Sequence, residues 1–218
     1  PALTLARETL GAGKPFVTAN KAMIAHHGLE LAALAESQGA ALKYEAAVAG
    51  GIPAIKGLRE GAAANAVSRV YGILNGTCNY ILSCMESDGR SFADVLTEAQ
   101  AKGFAEADPT FDIEGIDAAH KLSILASLAF GAAIDFGAVQ TQGIAKIAAA
   151  DIAQARKLGY RIRLIGLAEA DGDCLIQHVR PYLVPDSHPL AFVDGPTNAV
   201  VVEGNHVGRL LFQGAGAG

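Results

Sequence analysis

Asp117 and Lys121 stand four residues apart in the pentapeptide DAAHK, near the start of the apolar run 116–130. Stepping about 100° per residue, Lys121, Ile124, Leu125 and Leu128 all fall within about 80° of Asp117 on a helical projection. The ion pair therefore belongs to the buried stripe of the helix. A solvated i,i+4 pair stabilises a helix by about 0.2–0.5 kcal/mol, whereas a charge drawn toward the core is costly unless paired. Proton transfer is one reason to carry that cost. Desolvation lowers an ammonium pKa and a neighbouring carboxylate raises it, so a lysine in such a setting is tunable as a general acid or base. A purely structural buried pair is the competing reading.

Four other segments hold groups that can meet a ligand. FVTANK (16–21) sets an amide and an ammonium where a strand gives way to a helix, the ligand-facing edge of open α/β sheets; the alternative is that Thr18 or Asn20 caps the helix and Lys21 is solvated. After Glu45, the small residues AAVAGGIP allow backbone carbonyls to converge on a monovalent cation, or make a tight turn. Asn75-Gly76-Thr77 resembles a small anion cradle at a helix start, with Thr77 as an ordinary N-cap the alternative. Glu106, Asp108, Asp112, Glu114 and Asp117 place five acids in twelve residues, suited to a positively charged ligand group or simply solvated. A calcium loop does not fit, because aligning Gly115 with the sixth EF-hand position puts Lys121 where a bidentate Glu is needed.

These groups need elements to hold them. Helical patterns run over 2–11 and 21–38, with strand-like 16–19 and 42–45 between and after them, an α/β alternation. A helix is expected from Pro53 to Glu60, a strand over 67–74, helices over 77–87, 91–102 and 116–130, and another near 150–158. Ser91 is the expected N-cap of its helix, with Asp94 at the third helical position. Strand-like runs follow at 161–169, 175–184, 199–202 and 209–212. No GxGxxG follows an opening strand, and the two strands before Glu45 are too few for a complete dinucleotide-binding domain.

The chain of 218 residues is 51% hydrophobic, enough for a sizeable core, and carries a net charge of −5 with no basic run. Nucleic acid is therefore not an expected partner, and with no apolar stretch of membrane-spanning length neither is a bilayer. Cys78, Cys84 and Cys174 form no CxxC set, so they read as buried small hydrophobes in a reducing cytoplasm. His26 and His27 are adjacent, and His178, His188 and His206 are scattered, without zinc-ligand spacing. The opening at Pro1 without Met and the closing GAGAG read as part of a longer protein.

Taken in order, VTANKA (17–22), YEAAVAGGIP (44–53), ILNGTCNYIL (73–82), AQAKGFAEADPTFDIEGIDAAHK (99–121) and GRLLFQGAGAG (208–218) resemble homoserine dehydrogenase along essentially the whole chain. The resemblance implies a partial Rossmann-like nucleotide-binding segment over 1–45, a mixed α+β catalytic and dimerisation domain over 46–213, and a glycine-rich return toward the cofactor over 214–218. It implies reversible NAD- or NADP-dependent interconversion of L-homoserine and L-aspartate 4-semialdehyde, in a homodimer or homotetramer. Lys121 matches the proton donor and acceptor, and Asp117 the acid that supports it. Lys21 matches the lysine that positions cofactor and substrate, and Glu106 the carboxylate that recognises the substrate ammonium. Asn20, Gly76, Gly214 and Gly216 match cofactor-lining positions; Glu45 with the carbonyls of Val48, Gly50 and Ile52 matches a sodium site. Two other expectations are a non-catalytic dimeric core that binds the amino acid or an ion, and a nicotinamide oxidoreductase for another amino-acid aldehyde.

Overall fold

The computed structural model describes residues 1–172 and 174–216, so the end of the GAGAG tract lies outside the described residues. Helix α1 (Ala2–Gly11), strand β1 (Phe16–Val17), helix α2 (Lys21–Ser37) and strand β2 (Leu42–Lys43) come first. β1 and β2 pair in parallel, with Phe16 opposite Leu42, and α2 is the crossover that parallel neighbours need. Ala6, Leu10, Met23, Leu31 and Ala35 form a small core of their own beneath these elements. Asn20 caps α2, its Oδ1 accepting the Met23 N–H at 2.9 Å.

The segment after β2 departs from expectation. The strand-like run 42–45 pairs only over Leu42–Lys43, and a tight 3-10 turn follows at Glu45–Ala47. The helix expected from Pro53 is a single α-turn, α3 (Ala54–Lys56), with Pro53 outside it as the N-cap, and it widens into a π-turn at Gly57–Gly61. Gly57 and Gly61 bracket that turn, and glycine gives a regular α ladder little support.

The rest of the chain builds one mixed sheet and its covering helices: β3 (Val67–Ile73), α4 (Gly76–Asp88), α5 (Phe92–Ala101), α6 (Thr110–Ile113), α7 (Ile116–Phe130), β4 (Gln140–Thr141), α8 (Ala149–Lys157), β5 (Tyr160–Asp171), β6 (Cys174–Pro185), β7 (Thr197–Gly204) and β8 (Gly208–Ala215). The six strands lie in the order β4-β6-β5-β3-β7-β8, with β4 parallel to β6 and the other neighbours antiparallel. One face, with Val70, Leu164, Val179, Val200 and Val202, packs against Ile81 and Leu82 of α4 and Leu122 and Leu125 of α7. The other carries Tyr71, Ile73, Ile165, Val184 and Val201, partly covered by Leu190 and Val193. The α/β class read from sequence is the class found.

Three local readings change. Asn75, not Thr77, caps α4: its Oδ1 accepts the Cys78 N–H at 2.8 Å, while the Thr77 hydroxyl donates to the Phe104 carbonyl at 2.8 Å. Of the cysteines only Cys78 is buried; Cys84 is half-buried, Cys174 is exposed beside the β5–β6 turn, and all three are free. The four residues of α6 and two of β4 had not been expected, being too short to express a periodicity. Among the described residues no helix is long and apolar enough to cross a membrane.

Candidate active site

The starts of three helices converge on a cleft of about 600 Å³: α2 brings Lys21, α4 brings Gly76 and Thr77 with the capping Asn75, and α7 brings Asp117 and Lys121. Asp117 is the hub. α7 begins after Gly115, whose φ of 82° favours glycine, and this sets Asp117 in the first turn, where the helix dipole favours a carboxylate. Asp117 Oδ1 lies 3.0 Å from Lys21 Nζ, and its Oδ2 accepts from Lys121 Nζ at 2.8 Å and from Asn75 Nδ2 at 2.9 Å. The Asp117 and Lys121 side chains are 6% and 12% exposed, on the buried stripe as the helical projection requires. Burial pushes the Asp117 carboxyl upward, but Lys121, Lys21 and the Asn75 amide outweigh it and hold the group below the usual aspartate value.

Lys121 Nζ also donates to the Leu74 carbonyl at 2.7 Å, just past the end of β3. Two of the three donors of its ammonium are thereby used and one is left for a ligand. Lys21 is the first residue of α2, where the helix dipole disfavours a cation. Tertiary contacts hold it there instead: the Asp117 pair, and the Phe111 ring with its centroid 5.7 Å from Nζ. Asn75 ties the three parts together, since its oxygen caps α4 while its Nδ2 reaches Asp117 and, at 2.8 Å, Asp112 Oδ1.

Beyond these groups the lining is a neutral wall. Gly50, Gly51, Gly76, Pro196, Asn198 and Gly216 line it. A Cβ on Gly76 would stand 2.6 Å from the Pro196 carbonyl oxygen, and one on Gly216 would fall on the Asn198 amide, so both positions are closed to any larger residue.

Of the residues singled out from sequence, Lys21, Gly50, Gly76, Asp117, Lys121 and Gly216 come together in this cleft. Others stand apart. Glu106 is exposed on the α5–α6 connection, between the lining residues Phe104 and Asp112. Asn20 is engaged in capping α2, and Gly214 sits within β8, opposite Asn198. Glu45 turns away from the lining: its two carboxylate oxygens accept the Ile55 and Lys56 N–H groups, each at 2.9 Å, capping α3. Val48 and Ile52 are buried, and Ala49 between them holds a φ of 51°. Among the described residues no group of three or more His, Cys, Asp and Glu side chains is arranged to hold a metal. Sequence reasoning named Asn75 only within an anion cradle and Asp112 only as one of five acids, so it missed Asn75 as the organiser and the singling out of Asp112, which lines the cleft beside Asp117, and it missed Asn198 altogether. A cap read two residues earlier would have found the first; nothing local marks Asn198, which β7 carries in from 121 residues beyond Thr77.

A family model described as homoserine dehydrogenase matches residues 53–218. Homoserine dehydrogenases of Neisseria gonorrhoeae and Pseudomonas aeruginosa are each 54% identical over 206 residues, covering 94% of this chain and 47% and 48% of theirs. The crystal structure of a homoserine dehydrogenase from Thiobacillus denitrificans matches with a TM-score of 0.98 at 50% identity, over 100% of this chain and 51% of that one. A hyperthermophilic archaeal homoserine dehydrogenase in complex with NADPH matches at a TM-score of 0.86 and 30% identity, over 100% of this chain and 63% of that one. The chain thus spans about half the length of the bacterial relatives it matches. It belongs to the homoserine dehydrogenase family.

Proposed function

We propose that the protein interconverts L-homoserine and L-aspartate 4-semialdehyde with a nicotinamide cofactor, NAD or NADP. The observation that carries this reading is Lys121, held by Asp117 and the Leu74 carbonyl with a donor left over at the cleft. Gly50, Gly51, Gly76 and Gly216 present backbone rather than side chains to the cleft, room that a nicotinamide can use, and the archaeal relative in complex with NADPH supports the same cofactor class. When bound, the nicotinamide supplies or accepts the hydride at the carbinol carbon. Lys121 handles the proton. In the direction of oxidation its neutral amine takes the proton of the substrate hydroxyl as the C–H bond gives up hydride; in reduction its ammonium returns it.

Asp117 holds Lys121 in place and balances its charge, and Lys21 shares that carboxylate from the far side, a position suited to orienting substrate and cofactor. The acid-rich segment 106–117 supplies the carboxylate for the substrate ammonium. Glu106 has that role by resemblance, and Asp112 is the acid that lines the cleft, so Glu106→Ala and Asp112→Ala should separate in KM for homoserine.

Glu45 with the carbonyls of Val48, Gly50 and Ile52 is an all-oxygen set of the kind a hard monovalent cation takes. The left-handed Ala49 supports it by turning successive carbonyls, while the helix-capping bonds of Glu45 give that side chain a structural duty as well. A second copy of the chain would pack on the sheet face of Tyr71, Ile165 and Val184, where a groove of about 270 Å³ stays open.

The test follows nicotinamide absorbance in the full-length protein with L-homoserine and either cofactor, beside its Lys121→Ala variant. Homoserine-dependent reduction should fall by about 10²–10⁴-fold in the variant. Reduction that survives unchanged would remove Lys121 from the mechanism.

A further inference from the structure

Asn79 of α4 and Asn198 of β7 are both buried, and they are used differently. Asn79 spends its Nδ2 on the carbonyls of Val193, Gly195 and Thr197, at 2.9, 2.9 and 3.3 Å, and so fixes the loop that leads into β7. Asn198 is 1% exposed and lines the cleft, yet its Nδ2 has no hydrogen-bond partner among the described residues. A buried donor without an acceptor forfeits its hydration with nothing in return, so such a group calls for an explanation. The fold holds it firmly in place: Asn198 pairs in register with Gly214 on β8, and Gly216 packs so closely on its amide that no Cβ would fit between them.

We propose that Asn198 Nδ2 donates a hydrogen bond to the carboxamide oxygen of bound nicotinamide and thereby fixes the orientation of the ring; this rests on the nicotinamide-dependent reading above. Three observations select that acceptor over the amino-acid substrate. Gly76 and Gly216 pack directly on the Pro196 carbonyl and the Asn198 amide, so the lining beside Asn198 is backbone and amide with no charged side chain, which suits a neutral carboxamide and not a charged amino acid. The charged groups that match an amino acid's charged ends, Lys21, Asp112, Asp117 and Lys121, are tied to one another and to Asn75, and none of them bonds to Asn198 among the described residues. Pro196, two residues earlier, brings a carbonyl oxygen to the same wall, so the strand start offers a donor and an acceptor together. A carboxamide presents the complementary pair.

The experiment is equilibrium binding by calorimetry in the full-length protein, with NADP and with its thionicotinamide analogue, in which a weakly accepting sulfur replaces the carboxamide oxygen. The wild type should bind the analogue about tenfold more weakly than NADP, the scale of one lost hydrogen bond. Asn198→Ala should lose about tenfold in NADP affinity and no longer distinguish the two cofactors, a loss of discrimination that a merely structural role for the side chain would not produce. Asn198→Asp, isosteric but without the donor, should bind NADP at least as weakly as Asn198→Ala. Equal binding of both cofactors by the wild type overturns the proposal even if neither variant folds. So does discrimination that persists in Asn198→Ala, or a raised KM for homoserine with unchanged cofactor affinity, which would give the donor to the amino acid. A folded wild type that binds no nicotinamide cofactor at all would instead overturn the cofactor reading itself.

Discussion

The molecule buries charge in two places, and they are built to opposite ends. Around Asp117 one carboxylate is shared by two ammonium groups and an amide. Around Arg163 one guanidinium, with its side chain 0% exposed, is shared by Glu86 at 3.0 Å, Asp194 at 2.6 Å and the carbonyls of Ile162 and Ala191 at 3.0 and 3.1 Å. The Arg163 cluster joins β5 to α4 and to the loop before β7, with Arg156 and Arg161 pairing the same acids from outside. It holds elements together and has nothing to exchange, since a guanidinium does not give up its proton in a protein. The Asp117 cluster opens on a cleft, and its cations are lysines, whose protons can move. Glu86, Asp194, Arg156 and Arg161 of the Arg163 cluster line a cleft too, of about 440 Å³, so neither burial of charge nor access to a cavity separates structure from chemistry; the exchangeability of the proton does.

The comparison predicts effects of different kind, and the largest is on rate. Lys121→Ala, with its 10²–10⁴-fold loss of turnover, should leave the denaturant midpoint close to that of the wild type, because Asp117 keeps Lys21 and Asn75 as partners. A variant that unfolds as readily as it loses activity would reduce the Asp117 cluster to a second structural ion pair. Arg163→Ala should do the reverse. Arg163 is fully buried and Glu86 nearly so, while Asp194 is exposed and Glu86 keeps Arg156 and Arg161, so the loss should stay below the about 3–5 kcal/mol of breaking a fully buried pair, and the fraction that remains folded should turn over at the wild-type rate. Chemical denaturation followed by a stopped assay on the folded fraction measures both; a KM or kcat shift in that fraction would show the two clusters to be coupled through α4.

The same contrast explains what the sequence could reveal. The Asp117–Lys121 pair is local, four residues apart on one helix, so its burial follows from periodicity alone and matches the solvent exposure found. Lys21 could be seen as a strand-end lysine, but its pairing with Asp117 spans 96 positions and needs the packing of α2 on α7 to form. Asn75 was visible only as part of a turn, because its importance lies in two carboxylates 37 and 42 residues later. Most helices and strands were legible from their patterns, α6 and β4 being too short to be; the helix after Pro53 was legible as a helix, but not its widening at Gly57–Gly61 into a π-turn that no side-chain periodicity encodes. The Arg163 cluster was not foreseen at all. An arginine within the alternating strand 160–171 looks solvent-facing until the loop at 189–194 folds over it.

The smallest effect expected separates the cleft from its supports by pH. His120 lies one residue before Lys121, faces His26 and Lys21 of α2 and Asp117 of its own helix, and stacks on Phe136 with ring centroids 4.1 Å apart. Burial first, and then His26, 3.2 Å away, hold the His120 imidazole below its usual value, so it is neutral in the fold. The unfolded chain therefore binds this proton first as pH falls past about 6.5, and folding stability declines from there through the lower folded value. Asp117 adds a second and later loss. Its carboxyl titrates below the ordinary aspartate value of about 3.9, so its contribution is intact above that pH and disappears as pH falls through the folded value. The acid limb of a stability–pH profile should accordingly show a step near neutrality, which His120 shares with His178 and His188 because burial lowers all three, and an acidic step, which Asp117 shares with Glu98 and Glu203. His26→Ala should shrink the step near neutrality, by removing one of the influences that keep His120 neutral, and leave the acidic step in place. Arg163→Ala should lower the whole profile without changing either step, since none of the Arg163 partners touches His120 or Asp117. A His26→Ala profile parallel to the wild type would mean that burial alone keeps His120 neutral, and that α2 reaches the site through Lys21 only.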